Sequence, residues 1–235
     1  SSMIEETRKV TLFQLLREIA TGVEKTGEVA VDAVRAGVRV VARSLIEYNP
    51  LKLATGDIAL VRIDPYKDNH FVVDAINVTA REMLGERYLF TDYLLVDRKA
   101  EGGLLYLMLR VIPRAKNDSS MQAVNVFLMI PQFYAEYNKN THETLEEGKL
   151  PVDDTDGLVY ARPQGLRGAF MATVTEHTTQ EGKKESELDY WDFVAIDDKG
   201  VTHLYIVEMN KKTGWFEVYA GQEVDPNAIE FLRTS

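Results

Sequence analysis

The amino-acid sequence predicts an α+β protein that is mostly β, with an N-terminal amphipathic helix followed by two related antiparallel β-meander units that form a sandwich or a barrel-like sheet. Three observations predict it. Residues 10–48 contain no proline and have apolar residues at helical spacing. After Pro50 the sequence changes to short apolar runs separated by glycine and acidic turns. The same order of motifs then occurs twice.

Residues 1–9 are predicted to be a tag remnant and a disordered start, and residues 10–48 an amphipathic helical segment. An apolar stripe recurs at helical spacing in its second half, at Val34, Val38, Val41 and Leu45. Gly22 and Gly27 weaken the middle, so one long helix and two helices joined near Thr26 both remain open. Asn49-Pro50 is predicted to end the helix.

The first β-meander unit is predicted over residues 54–137. Its expected strands are rich in Val, Ile, Tyr and Leu, and they are Asp57–Ile63, Phe71–Arg81, Arg87–Asp97, Leu104–Ile112 and Gln122–Ile130, with Phe133–Tyr137 as an extension beyond Pro131. Residues 138–156 are predicted to be a polar connection of loop, with a helical turn left open. The second unit, residues 157–235, is expected to contain strands at Ala169–Thr178, Glu185–Ile196, Thr202–Asn210, Trp215–Ala220 and Ala228–Leu232.

The internal repeat is the strongest pattern in the sequence. Each half contains Val-Thr, a glycine turn, Asp-Tyr, a strand ending in Asp, a Lys/Gly turn and Leu-Tyr. The two dipeptides on which the alignment depends are Asp92-Tyr93 and Asp189-Tyr190. Each half is therefore predicted to be a three-stranded meander, and two meanders packed together bury the faces that each leaves exposed.

Composition excludes several classes of protein. There is no cysteine, so disulfides, thiolate nucleophiles and zinc–thiolate sites are excluded. A net charge of −10 argues against a nucleic-acid partner. Residues 1–60 hold eight basic and eight acidic side chains, which leaves 19 basic and 29 acidic for the remainder. With no signal-like start and no uncharged stretch suited to a membrane span, a cytoplasmic protein is expected, with peripheral contact to the inner membrane left open.

Residues 54–112 resemble a bacterial domain family catalogued as a domain of unknown function. The matching features are Gly56-Asp57 before a strand, Phe71-Val-Val73, the run Phe90-Thr-Asp-Tyr-Leu-Leu95 and the aliphatic strand Leu104–Leu109. The second half resembles the family more loosely over 190–207. The family's usual tryptophan is Phe90 here, and Trp191 follows the second tyrosine. The resemblance implies a setting beside phage-shock-like membrane-stress proteins, and it implies no activity and no catalytic residue.

Candidate metal and acid–base residues each have a simpler interpretation. His142 and Glu146 are spaced for one face of a helical turn, but no third ligand is indicated, which favours a solvated acidic turn. The loop 153–157 is rich in aspartate but lacks the glutamate of a calcium loop, and Asp197-Asp198 is typical of a hairpin turn. An acid–base set can be assembled from strand residues, namely Glu176, His177, Asp192 and His203. A polar pair on a wet sheet face is the favoured interpretation of these residues.

Motifs for nucleotide binding and for a serine nucleophile are absent from the sequence. No catalytic, cofactor-binding or metal-ligating residue is therefore predicted. Two surfaces are predicted to contact a partner or lipid instead. One is the basic face of the helix, and the other is the hairpin before Phe216; their candidate residues are Arg35, Arg39, Arg43, Lys211, Lys212 and Trp215.

The expected function is that of a non-enzymatic binding or assembly module in a bacterial stress response. The helix is expected to dock to a protein partner, to a second copy of the chain or to a membrane surface. The alternative is an enzyme or small-ligand-binding domain with a cavity between the two β units.

Overall fold

The computed structural model describes residues 46–83, 86–113, 124–163, 166–178 and 182–233. The predicted helical segment lies outside these ranges except for residues 46–48. The strands are β1 Ile58–Val61, β2 Phe71–Met83, β3 Glu86–Asp97, β4 Leu105–Pro113, β5 Val124–Ala135, β6 Phe170–Thr178, β7 Gly182–Ile196, β8 Thr202–Asn210, β9 Phe216–Val224 and β10 Ile229–Leu232. Helix α1 spans Lys139–Glu146, and a 3₁₀ turn spans Pro226–Ala228.

The strands form one antiparallel sheet that closes into an eight-stranded barrel. The order is β10-β1-β2-β3-β4-β5-β9-β8-β7-β6, and an additional pairing of β2 with β6 closes the ring. Strand β2 shares one edge between two partners, because β1 pairs with it at Phe71 and Val72 and β6 pairs from Ala75 to Arg81. Two successive meanders, β2–β5 and β6–β9, therefore supply the eight strands, while β1 and β10 extend the sheet.

Side-chain alternation along the strands creates three apolar clusters. The barrel interior is one of them, and it contains Phe90, Met108, Phe127, Met129, Phe170, Tyr190 and Ile206. The outer face of β1–β5 carries a second cluster, against which Tyr48, Leu51 and Tyr66 pack. The third cluster covers the outer face of β7–β9, where Leu145 of α1 and Leu150 pack. Each covered outer face is thus closed by the segment that precedes its meander in the chain.

The strand predictions are confirmed in number and order, with changes at the ends. The predicted strand Gln122–Ile130 and its extension form the single strand β5, which passes through Pro131. Proline is accommodated because the pairing of β5 with β4 ends at Met129, so no β4 partner requires the missing N–H. A bulge between Pro131 and Phe133 restores the pairing with β9. The polar connection contains α1, which at eight residues is longer than the helical turn considered there.

The predicted helix is wrong for residues 46–48, which have no helical structure. Ile46 is buried in the outer cluster of β1–β5, and the carbonyl of Tyr48 accepts a hydrogen bond from the Thr91 hydroxyl at 2.7 Å. Packing on the sheet therefore takes precedence over the helical spacing of these three residues.

The predicted equivalence of Asp92-Tyr93 with Asp189-Tyr190 is also wrong. Tyr93 packs in the outer cluster of β1–β5, whereas Tyr190 packs in the barrel interior. Asp92 pairs with Arg110 in the β3–β4 ladder, whereas Asp189 pairs with Met209 in the β7–β8 ladder. Because side chains alternate between faces, an alignment shifted by an odd number of residues places matching letters on opposite sides of the sheet.

Candidate functional site

A groove of about 480 Å³ lies on the outer face of the barrel, over the seam where β2 meets β6. We call it the outer groove. Its floor consists of the apolar and small residues Val78, Ala80, Leu89, Met171, Thr173 and Thr175; it also borders Ala172 and Leu188, whose side chains pack in the barrel interior. Its rim is charged and consists of Glu47, Glu82, Arg87, Lys183, Glu185, Glu187 and Lys211.

The floor of the outer groove combines apolar and threonine side chains where the two meanders join. In the β2–β6 ladder, Val78 pairs with Thr175 and Ala80 pairs with Thr173. Val78 belongs to the buried outer cluster of β1–β5, so the groove continues that cluster toward solvent. At its other side, 62% of the Met171 surface is exposed. A large exposed apolar side chain beside a partly apolar groove is typical of an interaction surface.

Some charged residues on the rim of the outer groove have an ion-pair partner and others do not. Arg87 lies 3.2 Å from Glu47, Lys183 lies 3.8 Å from Glu185, and Lys211 lies 4.0 Å from Asp189 outside the groove. Two further rim carboxylates make no ion pair within the described residues, and they are Glu82 and Glu187. The rim is therefore suited to an occupant that brings positive charge.

The barrel interior holds a second notable set of residues, which we call the interior network: Arg81, Asp92, Arg110, Asp192, Glu208 and Glu217. Arg110 donates through Nε and Nη2 to the two carboxylate oxygens of Asp92, at 2.7 Å and 2.8 Å, and through Nη2 to Glu208 at 2.9 Å. Arg110 is 1% exposed. Asp92 and Glu208 raise its pKa further above its already high ordinary value despite its burial, so it is a permanent cation.

Aromatic rings surround the two arginines of the interior network. The guanidinium of Arg110 lies 4.5 Å from the Phe90 ring centre, and that of Arg81 lies 5.0 Å from the same ring. Arg81 donates to Asp192 at 2.7 Å. Burial alone raises the pKa of the Asp192 carboxyl, but Arg81, Arg110 and Arg162 outweigh it and hold that pKa below its usual value. The Asp192 carboxylate therefore stays charged beside its arginine.

Glu208 and Glu217 face each other directly across β8 and β9. Burial raises the pKa of Glu208 to about 8. The charge of Arg110 acts to lower this pKa, whereas Glu217 and Asp92 raise it further. Burial also raises the pKa of Glu217, whose carboxylate accepts from the Tyr219 hydroxyl at 2.8 Å. Two carboxyls in this position hold a proton at neutral pH, because both cannot be charged at low cost.

The structure separates the residues that were predicted to contact a partner. Arg35, Arg39 and Arg43 lie outside the described residues. Lys211 lies on the rim of the outer groove, whereas Lys212 is exposed in the β8–β9 turn.

The aromatic pair of that hairpin divides between surface and core, as strand alternation predicts. Trp215 is half-buried and stacks on Tyr134 with ring centres 4.6 Å apart. Phe216 is buried in the outer cluster of β7–β9.

The candidate metal residues occupy ordinary structural positions. His142 Nε2 lies 3.5 Å from Glu146 on α1, and its ring packs against Trp191. In the part of the chain that the structure describes, no three histidine, aspartate or glutamate side chains converge as metal ligands. Asp154 accepts from the Asp156 backbone N–H within its loop at 3.1 Å.

The proposed acid–base set is dispersed over the barrel. Asp192 lies in the interior network. His203 lies 2.9 Å from Asp197 at the β7–β8 turn. The Asp197 carboxylate also accepts hydrogen bonds from the backbone N–H groups of Lys199 and Val201 in that turn. His177 pairs with Ile76 on β2 and with Lys183 on β7, at the far end of the β6 ladder. Burial and the charge of Lys183 lower the pKa of His177. None of these residues, nor Glu176, lines the outer groove.

Sequence reasoning missed both the outer groove and the interior network. One signal for the network was available in the sequence. Arg110 is a charged residue within the apolar run Leu104–Ile112, and the residues two positions before and after it face the barrel interior. No signal was available for the groove, because it depends on the pairing of β2 with β6, about 95 residues apart in sequence.

No helix within the described ranges has both the length and the apolar character needed to cross a membrane. Comparisons with protein-family models, with curated proteins and with solved structures found no match to this chain.

Proposed function

We propose that this protein is a non-enzymatic binding module that accepts an amphipathic helical segment in the outer groove. The observation that carries the proposal is the groove over the β2–β6 seam, whose floor combines apolar side chains such as Val78 with threonines, and which has Met171 62% exposed beside it. Two other outer faces of the barrel are covered by chain segments, so this face is the one suited to an incoming element. A helix with an apolar stripe fits a groove of this kind.

The charges on the rim support an occupant that carries arginine or lysine beside its apolar stripe. Each rim cation has a carboxylate partner within 4.0 Å. Glu82 and Glu187 have none among the described residues, so a basic occupant adds ion pairs without displacing existing ones. Rim charges of this kind contribute mainly to specificity and to the rate of association.

The interior network supports a non-enzymatic role over the alternative of an internal catalytic site. Arg110 uses its donors on Asp92 and Glu208, and Arg81 uses one on Asp192. Apolar side chains are buried in the same barrel interior, including Met108, Met129 and Phe127. Paired charges enclosed by packed side chains favour a role in specifying the barrel.

We also propose that the two meanders arose by duplication, in a register that differs from the predicted one. A spacing of 100 residues aligns Phe90 with Tyr190 and Asp92 with Asp192, and in both cases the two residues share the barrel interior. The same spacing aligns Asp97 with Asp197, and each of these carboxylates accepts a backbone N–H two residues later at 2.9 Å. Phe90 and Tyr190 contact each other edge to face, with ring centres 6.2 Å apart.

The physiological setting remains part of the proposal. The resemblance of residues 54–112 supports a bacterial membrane-stress response, with the protein in the cytoplasm or peripheral to the inner membrane. Protein partners or a second copy of the chain are the proposed ligands, and nucleic acid is not among them because the net charge is −10.

Fluorescence anisotropy of a labelled, designed peptide tests the proposal. The peptide is an 18-residue amphipathic helix with a Val/Leu stripe flanked by arginines, and a scrambled peptide of the same composition is its control. The full chain is expected to bind the amphipathic peptide, and Met171→Asp is expected to weaken binding at least tenfold, because a charge then lies on the groove. Ile196→Asp is the matched control, since Ile196 is 68% exposed outside the groove.

Saturable binding that only Met171→Asp weakens supports the proposal. Equal affinity for both peptides, or equal effects of the two substitutions, contradicts it, since binding is then independent of the groove.

A further inference from the structure

One end of the barrel has an uneven edge. β6 begins at Phe170, which pairs with Tyr190, whereas β7 continues past this point to Ile196. A loop residue takes the place of β6 there, because Ala161 forms an isolated bridge with Val194. We call this end the barrel mouth, and its charged side chains are Arg81, Arg162 and Asp192.

Arg162 is buried at the barrel mouth, with 5% of its surface exposed. Its guanidinium lies 5.3 Å from the Phe170 ring centre, and that of Arg81 lies 4.7 Å from the same ring. Its Nη1 donates hydrogen bonds to the backbone carbonyls of Arg167 and Gly168. Its Nε and Nη2 are also buried, and they have no hydrogen-bond partner among the described residues. A buried guanidinium therefore keeps two donors open.

Arg110 shows which chemical group these two donors suit. Its Nε and Nη2 donate to the two carboxylate oxygens of Asp92, at 2.7 Å and 2.8 Å. The same two atoms are open on Arg162, and they form a planar fork that matches the two oxygens of a carboxylate. We propose that Arg162 binds a small carboxylate ligand at the barrel mouth through Nε and Nη2. This site is independent of the outer groove and of the function proposed for it.

The charges at the mouth favour an anion over a water molecule. Arg81 and Arg162 lie there with one carboxylate, Asp192, whose Oδ2 accepts from Arg81 at 2.7 Å. Burial lowers the pKa of the Arg162 guanidinium, and Arg81 lowers it further, so Asp192 and Glu146 do not fully compensate its charge. A water molecule would accept from the open donors without balancing that charge, whereas a carboxylate does both. One excess positive charge also matches a singly charged ligand better than phosphate, which carries more charge at neutral pH.

The ligand is expected to be small, because both open nitrogens of Arg162 are covered by protein atoms. Binding therefore requires the loop that carries Arg162 to move outward, and two backbone hydrogen bonds between Ala161 and Val194 oppose that movement, at 3.0 Å and 2.8 Å. The Arg81 and Asp192 side chains are 11% and 16% exposed, so solvent is close to the mouth. A ligand of few heavy atoms requires the smallest movement, and acetate is the simplest probe of this class.

Nuclear magnetic resonance of the full chain, labelled with ¹⁵N-arginine, tests the site directly. Acetate replaces chloride at constant ionic strength, so that the screening of surface charges stays the same. The Nε–H signal of Arg162, assigned through its own backbone, is expected to shift saturably, because a charge-assisted hydrogen bond forms there. The Nε–H signal of Arg62 is the internal control and is expected to stay unchanged, since Arg62 is exposed and paired with Glu230.

Substitution of Arg162 separates the fork from the charge. Arg162→Lys keeps a cation but lacks the paired N–H donors, and it is expected to weaken acetate binding roughly tenfold or more. Arg62→Lys is the matched control and is expected to bind acetate as the unmodified chain does. Thermal unfolding supplies a second measurement, since a ligand that binds only the folded chain raises the melting temperature. Inorganic phosphate is titrated in parallel, because the fork also suits its oxygens.

A saturable shift at Arg162, with weaker binding in Arg162→Lys alone, supports the carboxylate site. No saturable shift at Arg162 overturns it, as do equal shifts at Arg62 and Arg162, because the effect is then general to the surface. Tighter binding of phosphate than of acetate overturns the assignment of the ligand as a carboxylate. If Arg162→Lys does not fold, the titration of the unmodified chain decides between these outcomes by itself.

Discussion

Arg110 and Asp92 lie directly opposite each other on β4 and β3 and form a two-pronged ion pair inside the barrel, at 2.7 Å and 2.8 Å. The same guanidinium reaches across to Glu208 in the second meander at 2.9 Å. One cation therefore links two acidic side chains that are separated by more than 100 residues of sequence. Removal of that cation affects both halves of the barrel.

Arg110→Met is expected to lower the free energy of unfolding by about 3–5 kcal/mol, because it leaves the buried Asp92 carboxylate without its cation and Glu208 without its hydrogen-bond donor. Denaturant-induced unfolding measures the loss. Arg62→Met is the matched control, since the Arg62–Glu230 pair is solvent-exposed, and its expected loss is below about 1 kcal/mol. Similar losses for the two variants contradict a special role for the buried pair.

Gly221→Ala is expected to destabilise the protein by about 3 kcal/mol or more, because an added Cβ lies 1.9 Å from the Leu128 carbonyl oxygen of β5. β9 and β5 join the two meanders at this point, so neither strand can move freely. Thermal and denaturant unfolding measure the change. Gly168→Ala is the control, since its nearest atom is a Glu146 carboxylate oxygen at 3.5 Å. A fully stable Gly221→Ala variant contradicts the close approach of the two strands.

The local part of the fold was predictable from sequence. Runs of Val, Ile, Tyr and Leu identified the strands, and glycine turns such as Gly200, with φ at 81°, identified the hairpins. Asp197 accepts two backbone N–H groups in that turn, as its residue type suggests. These signals depend on residues close together in the chain.

The inward or outward orientation of each strand was not predictable in the same way. Asp-Tyr occurs at both Asp92-Tyr93 and Asp189-Tyr190, yet one tyrosine faces outward and the other inward. The deciding difference is the ladder register, which depends on hairpin length and on partners distant in sequence. The outer groove depends on the same long-range pairing, so it too was outside the reach of local patterns.

Tyr93→Phe is expected to loosen the segment that follows residue 48. The Tyr93 hydroxyl donates to Asn49 Oδ1 at 2.5 Å and accepts the Leu51 backbone N–H at 3.2 Å. Its loss is expected to cost about 1–2 kcal/mol and to speed amide hydrogen exchange at Leu51. Tyr66→Phe is the control, since it removes a hydroxyl that makes no hydrogen bond within the described residues. Unchanged exchange in Tyr93→Phe contradicts the proposed tether.

Glu208→Gln is expected to reduce the dependence of stability on pH. Burial raises the pKa of Glu208 from the ordinary 4.5 to about 8, so the folded state holds a proton that the unfolded chain releases. The resulting stabilisation is complete below pH 4.5 and is lost as the pH rises through about 8.

The free energy of unfolding is therefore expected to fall by up to about 1.4 kcal/mol per pH unit between these values, less any opposing contributions from other groups. Glu208→Gln removes the titrating group and keeps a hydrogen-bond acceptor for Arg110. The free energy of unfolding of this variant is therefore expected to change less with pH. Glu136→Gln is the control, because Glu136 is exposed. Because Glu217 lies directly opposite and its pKa is also raised by burial, Glu217→Gln is expected to flatten the profile as well. Parallel profiles for Glu208→Gln and the unmodified chain, measured by denaturant unfolding from pH 5 to pH 9, contradict proton uptake by this pair.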